Sequence, residues 1–366
     1  MPGRCLPGHP LLRGPDRRSF PDHQRRATGR LPAKKEVNIR PHIAWFLLAL
    51  VACTSTPKPG QPWVVTQIEA PATGPRVLGV YAHPDDETSA AAILYKTRAH
   101  LEGVCDLLLI TNGEGGFKYS TLAEDLYGAE LTDEPVGRAL LPAIRRDEFL
   151  DGCALMQIRA AYFLEETDHR YSTDPEEVLA ADAGVWNLDR IEDALVERMT
   201  LGRYDFILTL APTPQTHGHH QAATILALRA AARLPADQRP AVLCARQETA
   251  DGAPDPPAIL AGYPETALAA GVPPLIFDRT QPFGHRGRLD YRVLVNWVIA
   301  AHKSQGTMQL AMSRGLRTHL FLFALSPAGS AEAAQAWLEG LAQPQFTPRV
   351  YGSSAGTNAS SSPPKR

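Results

Sequence analysis

The chain has 366 residues, a formal net charge of −2 and 44% hydrophobic residues. This length allows one large domain or two small ones, and the apolar content is typical of a globular protein. The near balance of acidic and basic residues argues against a nucleic-acid-binding surface, so we expect no nucleic acid among its partners. The sequence carries no indication of an oligomeric state.

The first 75 residues differ in composition from the rest. Residues 1–36 are rich in Arg, Pro and Gly and show no apolar period, which predicts a disordered extension or a misassigned translation start. Residues 37–53 contain an apolar run that is too short for a membrane span and suits a signal peptide. The run ends in Leu-Val-Ala-Cys, which resembles a bacterial lipobox, and residues 54–75 read as a flexible tether.

These features predict a location in the bacterial cell envelope. We expect a periplasmic or surface lipoprotein that touches the membrane only through a lipid on Cys53; the alternative is a short buried helix. Three further cysteines, Cys105, Cys153 and Cys244, would remain in the mature chain. Their odd number gives no disulfide framework, and each is expected to pack as a small hydrophobic side chain.

Strand and helix patterns alternate along residues 76–326. The strand candidates are 76–82, 105–111, 160–165, 205–210 and 241–246, and the helical stretches are about 87–102, 138–156, 186–201, 218–233 and 288–304. This alternation predicts an α/β fold with a mostly parallel sheet and helices on both faces, doubly wound and Rossmann-like. A last strand candidate, 318–325, is expected at a sheet edge.

Three segments look irregular. Residues 117–137 are acidic and loop-like, and because they follow the second strand we expect them to lie over the site. Residues 248–274 are rich in Pro, Ala and Gly and are typical of an insertion near the same rim. Residues 346–366, rich in Ser, Gly and Pro, are expected to be a disordered tail.

The first functional cluster follows the first strand candidate directly. Residues 82–87 read Ala-His-Pro-Asp-Asp-Glu behind an apolar run. Open α/β sheets bind ligands beyond the carboxyl ends of their strands. The imidazole of His83 and the adjacent carboxylates of Asp85 and Asp86 therefore indicate a metal site with a spare base. The alternative is a polar loop in which one of the acids caps the next helix.

A second cluster stands in an equivalent position. The strand candidate 205–210 ends in a proline-bearing loop, and residues 217–220 then read His-Gly-His-His at the start of a helical stretch. Three histidines in four residues at such a junction rarely serve as core packing. Two clusters of ligand type, each at the carboxyl end of a predicted strand, together favour a metal centre. The chain has no G-x-S-x-G motif that would place a serine nucleophile.

Together the clusters resemble those of the zinc-dependent N-acetylglucosaminyl de-N-acetylases, the PIG-L/LmbE-like family. Residues 82–87 match the family motif A-H-P-D-D-E completely, and residues 217–220 match its H-x-x-H motif. Weaker similarities are the second strand and Gly-rich loop at 107–116, an R-x-x-E helix at 144–149 and a late H-x-S-Q element at 302–305. The resemblance spans roughly residues 76–305.

The resemblance implies roles for five residues. His83, Asp86 and His220 would hold one zinc ion per chain, and such an open three-ligand site leaves a position for water. Asp85 would be the general base, and His217 would be the electrophilic or general-acid histidine. A set of two histidines and one aspartate also accepts another divalent metal such as Fe²⁺.

Three other residues have no single assignment from the sequence. His219 stands where the family often has Asp, and its role is left open. The resemblance implies that Arg145 helps to bind substrate, whereas its spacing from Glu148 also fits an ion pair on the helix surface. Asp168 follows the third strand candidate, where a carboxylate could bind sugar hydroxyls or cap a turn.

The expected function is hydrolysis. The resemblance implies removal of the N-acetyl group from an N-acetylated amino sugar or glycoconjugate by metal-activated water, with an Asp as base. The alternatives are a related amidase of the same family and a non-catalytic sugar-binding lipoprotein. A binding module needs no base beside its metal, so Asp85 favours an enzyme. Dinucleotide binding is disfavoured because the first strand–helix turn carries acids and no G-x-G-x-x-G motif.

Overall fold

The computed structural model of the protein describes residues 62–66, 73–248 and 252–342. All of them fall within one compact unit, Thr56–Arg366. The predicted signal peptide with Cys53, and the predicted tail at 346–366, lie outside the described residues. Among the described residues, no helix combines the length and apolar character that crossing a lipid bilayer requires.

The strands of the described part are short and mostly buried. In chain order they are β1 Trp63–Val64, β2 Arg76–Tyr81, β3 Val104–Thr111, β4 Ala160–Glu166, β5 Phe206–Leu210, β6 Ala241–Gln247, β7 Leu275–Asp278, β8 Pro282–Gly284, β9 Leu289–Asp290 and β10 Arg317–Leu322.

The helices lie between these strands. They are α1 Ala91–Leu101, α2 Thr121–Tyr127, α3 Glu134–Leu155, α4 Glu176–Leu179, α5 Leu188–Gly202, α6 Gly218–Ala232, α7 Arg292–Ala301, α8 Gly306–Gln309 and α9 Ser330–Ala342. Short 3₁₀ turns occur at Asp86–Ser89, Glu114–Tyr119, Pro264–Thr266 and His285–Gly287.

Eight of the strands form one sheet in the order β1-β4-β3-β2-β5-β6-β10-β7. The five strands from β4 to β6 run parallel, and β1, β10 and β7 add antiparallel to their neighbours. The predicted doubly wound, mostly parallel sheet is confirmed. The last predicted strand is not at the edge, however, because β10 lies between β6 and the short strand β7, which the sequence pattern did not reveal.

The two faces of the sheet carry separate hydrophobic cores. On one face, side chains such as Val77 and Tyr81 pack with α1, α3, α7 and α9. On the other face, side chains such as Leu78 and Val80 pack with α4, α5 and α6. This division follows from strand geometry, since successive side chains point to opposite faces. The three remaining cysteines of the described part are buried and free, as expected of small hydrophobic side chains.

The core continues past residue 326, where the sequence analysis ended the domain. Trp337 on α9 stacks on Phe206, with ring centroids 4.4 Å apart and an interplanar angle of 13°. Its indole nitrogen donates a hydrogen bond of 3.0 Å to Thr97 Oγ1, and Leu341 is fully buried. Helix α9 is therefore part of the fold that supports the sheet.

The segment 117–137 is largely helical, so its prediction as a loop is wrong. It contains the end of a 3₁₀ turn, helix α2 and the first residues of α3. Its acidic residues act locally: Asp133 caps α3 by accepting a hydrogen bond of 3.2 Å from the backbone nitrogen of Val136, and Glu124 accepts one of 2.8 Å from the nitrogen of Thr132. One of the acidic residues that suggested a loop is therefore a helix cap.

Candidate metal centre

The strand order places the two sequence clusters side by side. Strand β2 pairs with β3 on one side and with β5 on the other. The chain leaves β2 towards β3 and later returns to β5 across β2, so the loops after β2 and β5 meet where the strand order reverses. This switch point is where doubly wound sheets bind their ligands.

His83, Asp86 and His220 come together there. His83 Nδ1 lies 3.0 Å from His220 Nε2 and 3.8 Å from Asp86 Oδ2. His220 Nε2 lies 3.1 Å from Asp86 Oδ1. A tetrahedral zinc ion with bonds of about 2.0–2.1 Å separates its ligand atoms by about 3.3 Å. The donor atoms and their spacing therefore fit a small divalent cation, and this trio is one of two in the described residues that could hold one.

Backbone hydrogen bonds fix the carboxylate of Asp86. Its Oδ2 accepts from the nitrogen of Ala82 at 3.1 Å and from the nitrogen of His83 at 2.9 Å. Burial raises the pKa of Asp86, but the neighbouring His220 and His83 outweigh burial and lower it to about 2. Asp86 is thus ionised, as a metal ligand must be.

The adjacent Asp85 has the opposite electrostatic environment. Burial, and then the charge of Asp86, raise the pKa of Asp85 to about 7. Its backbone has φ 110° and ψ −22°, a left-handed conformation that non-glycine residues rarely adopt. The side chain is half-buried, and it belongs to neither possible metal trio. A carboxyl group that titrates near neutral pH beside a metal site can accept and return a proton.

Asp168 lies against the histidines. Its Oδ2 also accepts a hydrogen bond of 3.0 Å from the backbone nitrogen of Gly115, so it caps a turn, as one of the two expectations had it, while its binding of sugar hydroxyls stays a prediction. It is 5% exposed, and its Oδ1 lies 3.4 Å from His83 Nε2 and 3.2 Å from His219 Nδ1. These two histidines lower the pKa of Asp168 despite the opposing effect of burial. A carboxylate bound to one ring nitrogen of His83 leaves the other nitrogen free for a metal.

His219 stands in the position where the resemblance led us to expect an acid. The ring is 2% exposed and packs against Trp186, with centroids 4.9 Å apart. The negative charge that an aspartate would bring to this position is instead supplied by Asp168, from the end of β4. The sequence could not reveal this exchange because the two residues come from different strand ends.

His217 has a fixed ring orientation. Its Nε2 donates a hydrogen bond of 3.0 Å to the carbonyl oxygen of Arg170, and its ring stacks on exposed Tyr171, with centroids 5.1 Å apart. Burial, and then the charge of His83, lower the pKa of His217 to about 3. A neutral His217 presents the lone pair of Nδ1 rather than a proton, which disfavours the predicted general-acid role.

The second possible metal trio comprises His83, His217 and His219. His83 and His219 are buried and His217 is half-buried, and Asp168 already contacts two of the three. A catalytic metal needs an open position for water or substrate. The trio with Asp86 suits this better, since only one of its members contacts Asp168 and the side chain of His220 is 23% exposed.

Arg145 is a buried anchor rather than a surface residue or an accessible substrate contact. It is 2% exposed and donates hydrogen bonds to the carbonyl oxygens of Gly113, Gly116 and Ser304. It forms no ion pair with Glu148 among the described residues, but both side chains bind Ser304. Arg145 therefore fastens the Gly-rich loop after β3 to the segment after α7.

Sequence reasoning did not assign roles to several buried polar residues around the site. They are Glu87, Glu148, His302, Ser304 and Gln305, and each is no more than 8% exposed. The A-H-P-D-D-E, R-x-x-E and H-x-S-Q motifs contained all of them, so the signal was present. Their partners could not be read because the contacts join three separate parts of the chain.

Comparison with known proteins agrees with this site. Residues 78–231, which run from β2 to the end of α6 and contain every residue of both metal trios, match the family described as PIG-L, GlcNAc-PI de-N-acetylase. Residues 78–231 belong to the PIG-L family. The family description is that of a de-N-acetylase, which is a hydrolase. None of the curated proteins matches the sequence significantly.

Solved structures similar to this chain include two deacetylases. N,N'-diacetylchitobiose deacetylase from Pyrococcus horikoshii is 15% identical, with 65% of this chain and 71% of that chain covered and a TM-score of 0.37. A deacetylase of teicoplanin biosynthesis is 13% identical, with 68% and 98% covered and a TM-score of 0.43. GalB, a 4-carboxy-2-hydroxymuconate hydratase from Pseudomonas putida KT2440, is 13% identical, with 68% and 95% covered and a TM-score of 0.42.

Proposed function

We propose that the protein is a zinc-dependent hydrolase that removes the N-acetyl group from an N-acetylated amino sugar or glycoconjugate. The observation that carries the proposal is the pairing of a metal-type trio with a second carboxylate that titrates near neutral pH. Membership of the PIG-L family supports the amide and the sugar as substrate.

His83, Asp86 and His220 would hold the cation. Zinc at such a site supplies Lewis acidity toward water and toward the acetamide carbonyl. Asp86 contributes the negative charge of the ligand set, and its two backbone hydrogen bonds keep it in place. Asp168 contacts Nε2 of His83, the ring nitrogen that faces away from Asp86 and His220, and this contact favours one orientation of the ring.

Asp85 would carry the proton. We assign it the removal of a proton from the attacking water and the return of that proton to the nitrogen of the leaving amine. Burial and the charge of Asp86 raise the pKa of this carboxyl group above that of an ordinary aspartate, which favours its return to the protonated form between the two steps. His217 would orient substrate through Nδ1, since its Nε2 hydrogen is occupied by Arg170.

The test combines metal analysis with amine release. The purified protein is analysed for bound metal and incubated with a panel of N-acetyl amino sugars, and free primary amine is detected. We expect one zinc per chain and amine release that a chelator abolishes and added zinc restores. Metal binding without release from any sugar, or release only from non-sugar amides, would contradict the proposed substrate. Absence of metal binding would contradict the proposed site.

The control is Asp205→Asn. This aspartate lies at the amino ends of the strands, away from the site, where its Oδ2 accepts a hydrogen bond of 2.8 Å from the nitrogen of Arg76. The variant removes a carboxylate of the same type and should leave metal content and amine release unchanged.

A further inference from the structure

The backbone of Asp85 is strained, and its surroundings hold it. At φ 110° and ψ −22° the residue lies in a region that is sterically disfavoured for a side chain with a Cβ. Such a conformation is energetically unfavourable and persists only where surrounding contacts enforce it. The contacts that do so here come from two parts of the chain.

Glu87 binds the amide of Asp85 directly. Its Oε2 accepts a hydrogen bond of 2.9 Å from the Asp85 nitrogen, and its Oε1 accepts one of 2.6 Å from His302 Nε2. Glu87 and His302 are both fully buried. One carboxylate therefore links the strained residue to the segment that follows α7.

The neighbouring peptide groups are held as well. The carbonyl oxygen of Asp85 accepts a hydrogen bond of 2.7 Å from Thr88 Oγ1. The carbonyl oxygen of Pro84 accepts one from Gln305 Nε2. The peptide units on both sides of Asp85 thus have fixed partners, and their rotation would leave buried polar groups unpaired.

The segment that supplies His302 and Gln305 is itself anchored. Ser304 lies between them, and its backbone nitrogen and hydroxyl both donate to Glu148 on α3, at 2.9 and 2.7 Å. Arg145, one turn earlier on α3, donates to the Ser304 carbonyl oxygen at 3.2 Å. The segment is therefore fixed to a long helix, which makes it a rigid support.

We propose that Glu87 and His302 are positioning residues that keep Asp85 in its left-handed conformation and so aim its carboxyl group at the reacting atoms. The catalytic part of this inference rests on the proposed function, whereas the conformational part does not. A buried Glu–His pair could otherwise serve only to stabilise the fold, and the two roles have different consequences.

The first experiment is the crystal structure of Glu87→Met. Methionine has nearly the length of glutamate but offers no acceptor to the Asp85 amide. We expect Asp85 to leave the left-handed region and its carboxyl group to move, while His83 and Asp86 stay in place. An unchanged φ at Asp85 would overturn the proposal, whether or not the enzyme is active.

The second experiment is a double-mutant cycle with Asp85→Asn, measured as kcat for amine release with saturated metal. If Glu87 acts through Asp85, Glu87→Met should lower kcat about 10- to 100-fold in the native background, with KM nearly unchanged. It should have little further effect when Asp85 is already asparagine. Additive losses in the cycle would overturn the positioning role.

A second variant of Glu87 guards against a simple loss of stability. Glu87→Gln keeps one acceptor, and its effect on kcat should be smaller than that of Glu87→Met. The amide of Glu87→Gln could pair with both of its neighbours only if the hydrogen of His302 moved from Nε2 to Nδ1. This tautomer is disfavoured because Nδ1 is buried without a partner in the described structure. If Glu87→Met does not fold, Glu87→Gln carries the test, and unchanged kcat and φ would overturn the proposal.

The matched control is Tyr204→Phe. It removes a buried hydrogen bond of 2.5 Å from Tyr204 Oη to Asp106 Oδ2, at the opposite end of the strands. This variant should lose stability but keep kcat. If the native enzyme releases no amine from any substrate tested, the proposed function fails, and the crystal structure of Glu87→Met still decides the conformational claim.

Discussion

Asp85 and Asp86 are adjacent in the chain, but the pKa values of their carboxyl groups are shifted in opposite directions. Two histidines and two backbone amides stabilise the charge on Asp86 and lower its pKa to about 2, whereas burial and the charge of Asp86 raise the pKa of Asp85 to about 7. When neighbouring carboxyl groups are driven apart in this way, one can remain a charged ligand while the other exchanges protons.

Replacement of Asp85 by asparagine should separate chemistry from metal binding. We expect kcat for amine release to fall about 100- to 10,000-fold, because the proton acceptor is lost. Zinc content should stay at one per chain, since Asp85 belongs to neither metal trio. Steady-state kinetics and elemental analysis check this. Full activity in the variant would mean that another group is the base.

Asp168→Asn should affect the metal rather than the sugar. The carboxylate contacts one nitrogen of His83 and one of His219, so its loss should weaken zinc binding about 10- to 100-fold. Competition with a chromogenic chelator measures this affinity. A rise in KM at unchanged zinc affinity would instead support the expectation that Asp168 binds substrate.

At the scale of elements, the site depends on where segments end. The loops after β2 and β5 meet because both strands are parallel and adjacent. The segment after α7 supports the first loop from the side, and α3 fastens that segment through Arg145 and Glu148. The R-x-x-E and H-x-S-Q patterns therefore serve the architecture of the site.

Arg145→Met tests this assignment. The substitution removes the guanidinium and its hydrogen bonds to the carbonyl oxygens of Gly113, Gly116 and Ser304, so we expect the free energy of unfolding to fall by at least about 3 kcal/mol. Urea denaturation measures it. The control is Arg146→Met on the same helix, which removes a partly exposed ion pair with Glu165 and should cost about 1 kcal/mol or less.

A rise in KM for Arg145→Met at unchanged stability would contradict the anchoring role. It would favour the original expectation that the guanidinium binds substrate, which its 2% exposure argues against.

At the scale of the whole molecule, the boundaries of the folded unit can be tested by truncation. A chain that ends after residue 342 keeps α9, whereas one that ends after residue 326 loses Trp337 and Leu341 from the core. Loss of a buried tryptophan alone costs about 3–5 kcal/mol, so the shorter chain should unfold at markedly lower urea concentration. Equal stability of the two chains would show that α9 is dispensable.

The location of the protein is our proposal from its sequence alone. We propose that Cys53 carries a lipid that anchors the protein in the bacterial cell envelope. Metabolic labelling with a fatty-acid analogue should mark the native protein and fail to mark Cys53→Ala. The control Cys5→Ala should still be labelled. Label on both variants, or on neither the native protein nor the control, would contradict the anchor.

The sequence by itself determined the alternation of strands and helices and the chemical type of the candidate metal ligands. Alternating patterns require a mostly parallel sheet, and parallel strands end at a common edge. The positions of His83, Asp86 and His220 after two strands therefore predicted that these side chains would meet. Local patterns were sufficient for the elements and for the types of side chain at their ends, because these depend on residues close together in the chain. The pairing of β2 with β5, which brings His83 and His220 into contact, is a matter of strand order.

Only the tertiary structure decided which groups surround them. Distant segments are joined by the contact of Asp168 with His83, by the hydrogen bond of His302 to Glu87 and by the pairing of β10 with β6. The burial of Arg145 likewise depends on how separate segments pack around it. Such contacts depend on strand order, register and side-chain packing, which no local pattern specifies. A buried charge and a surface charge look alike in a sequence, and only packing shows which of them lacks water.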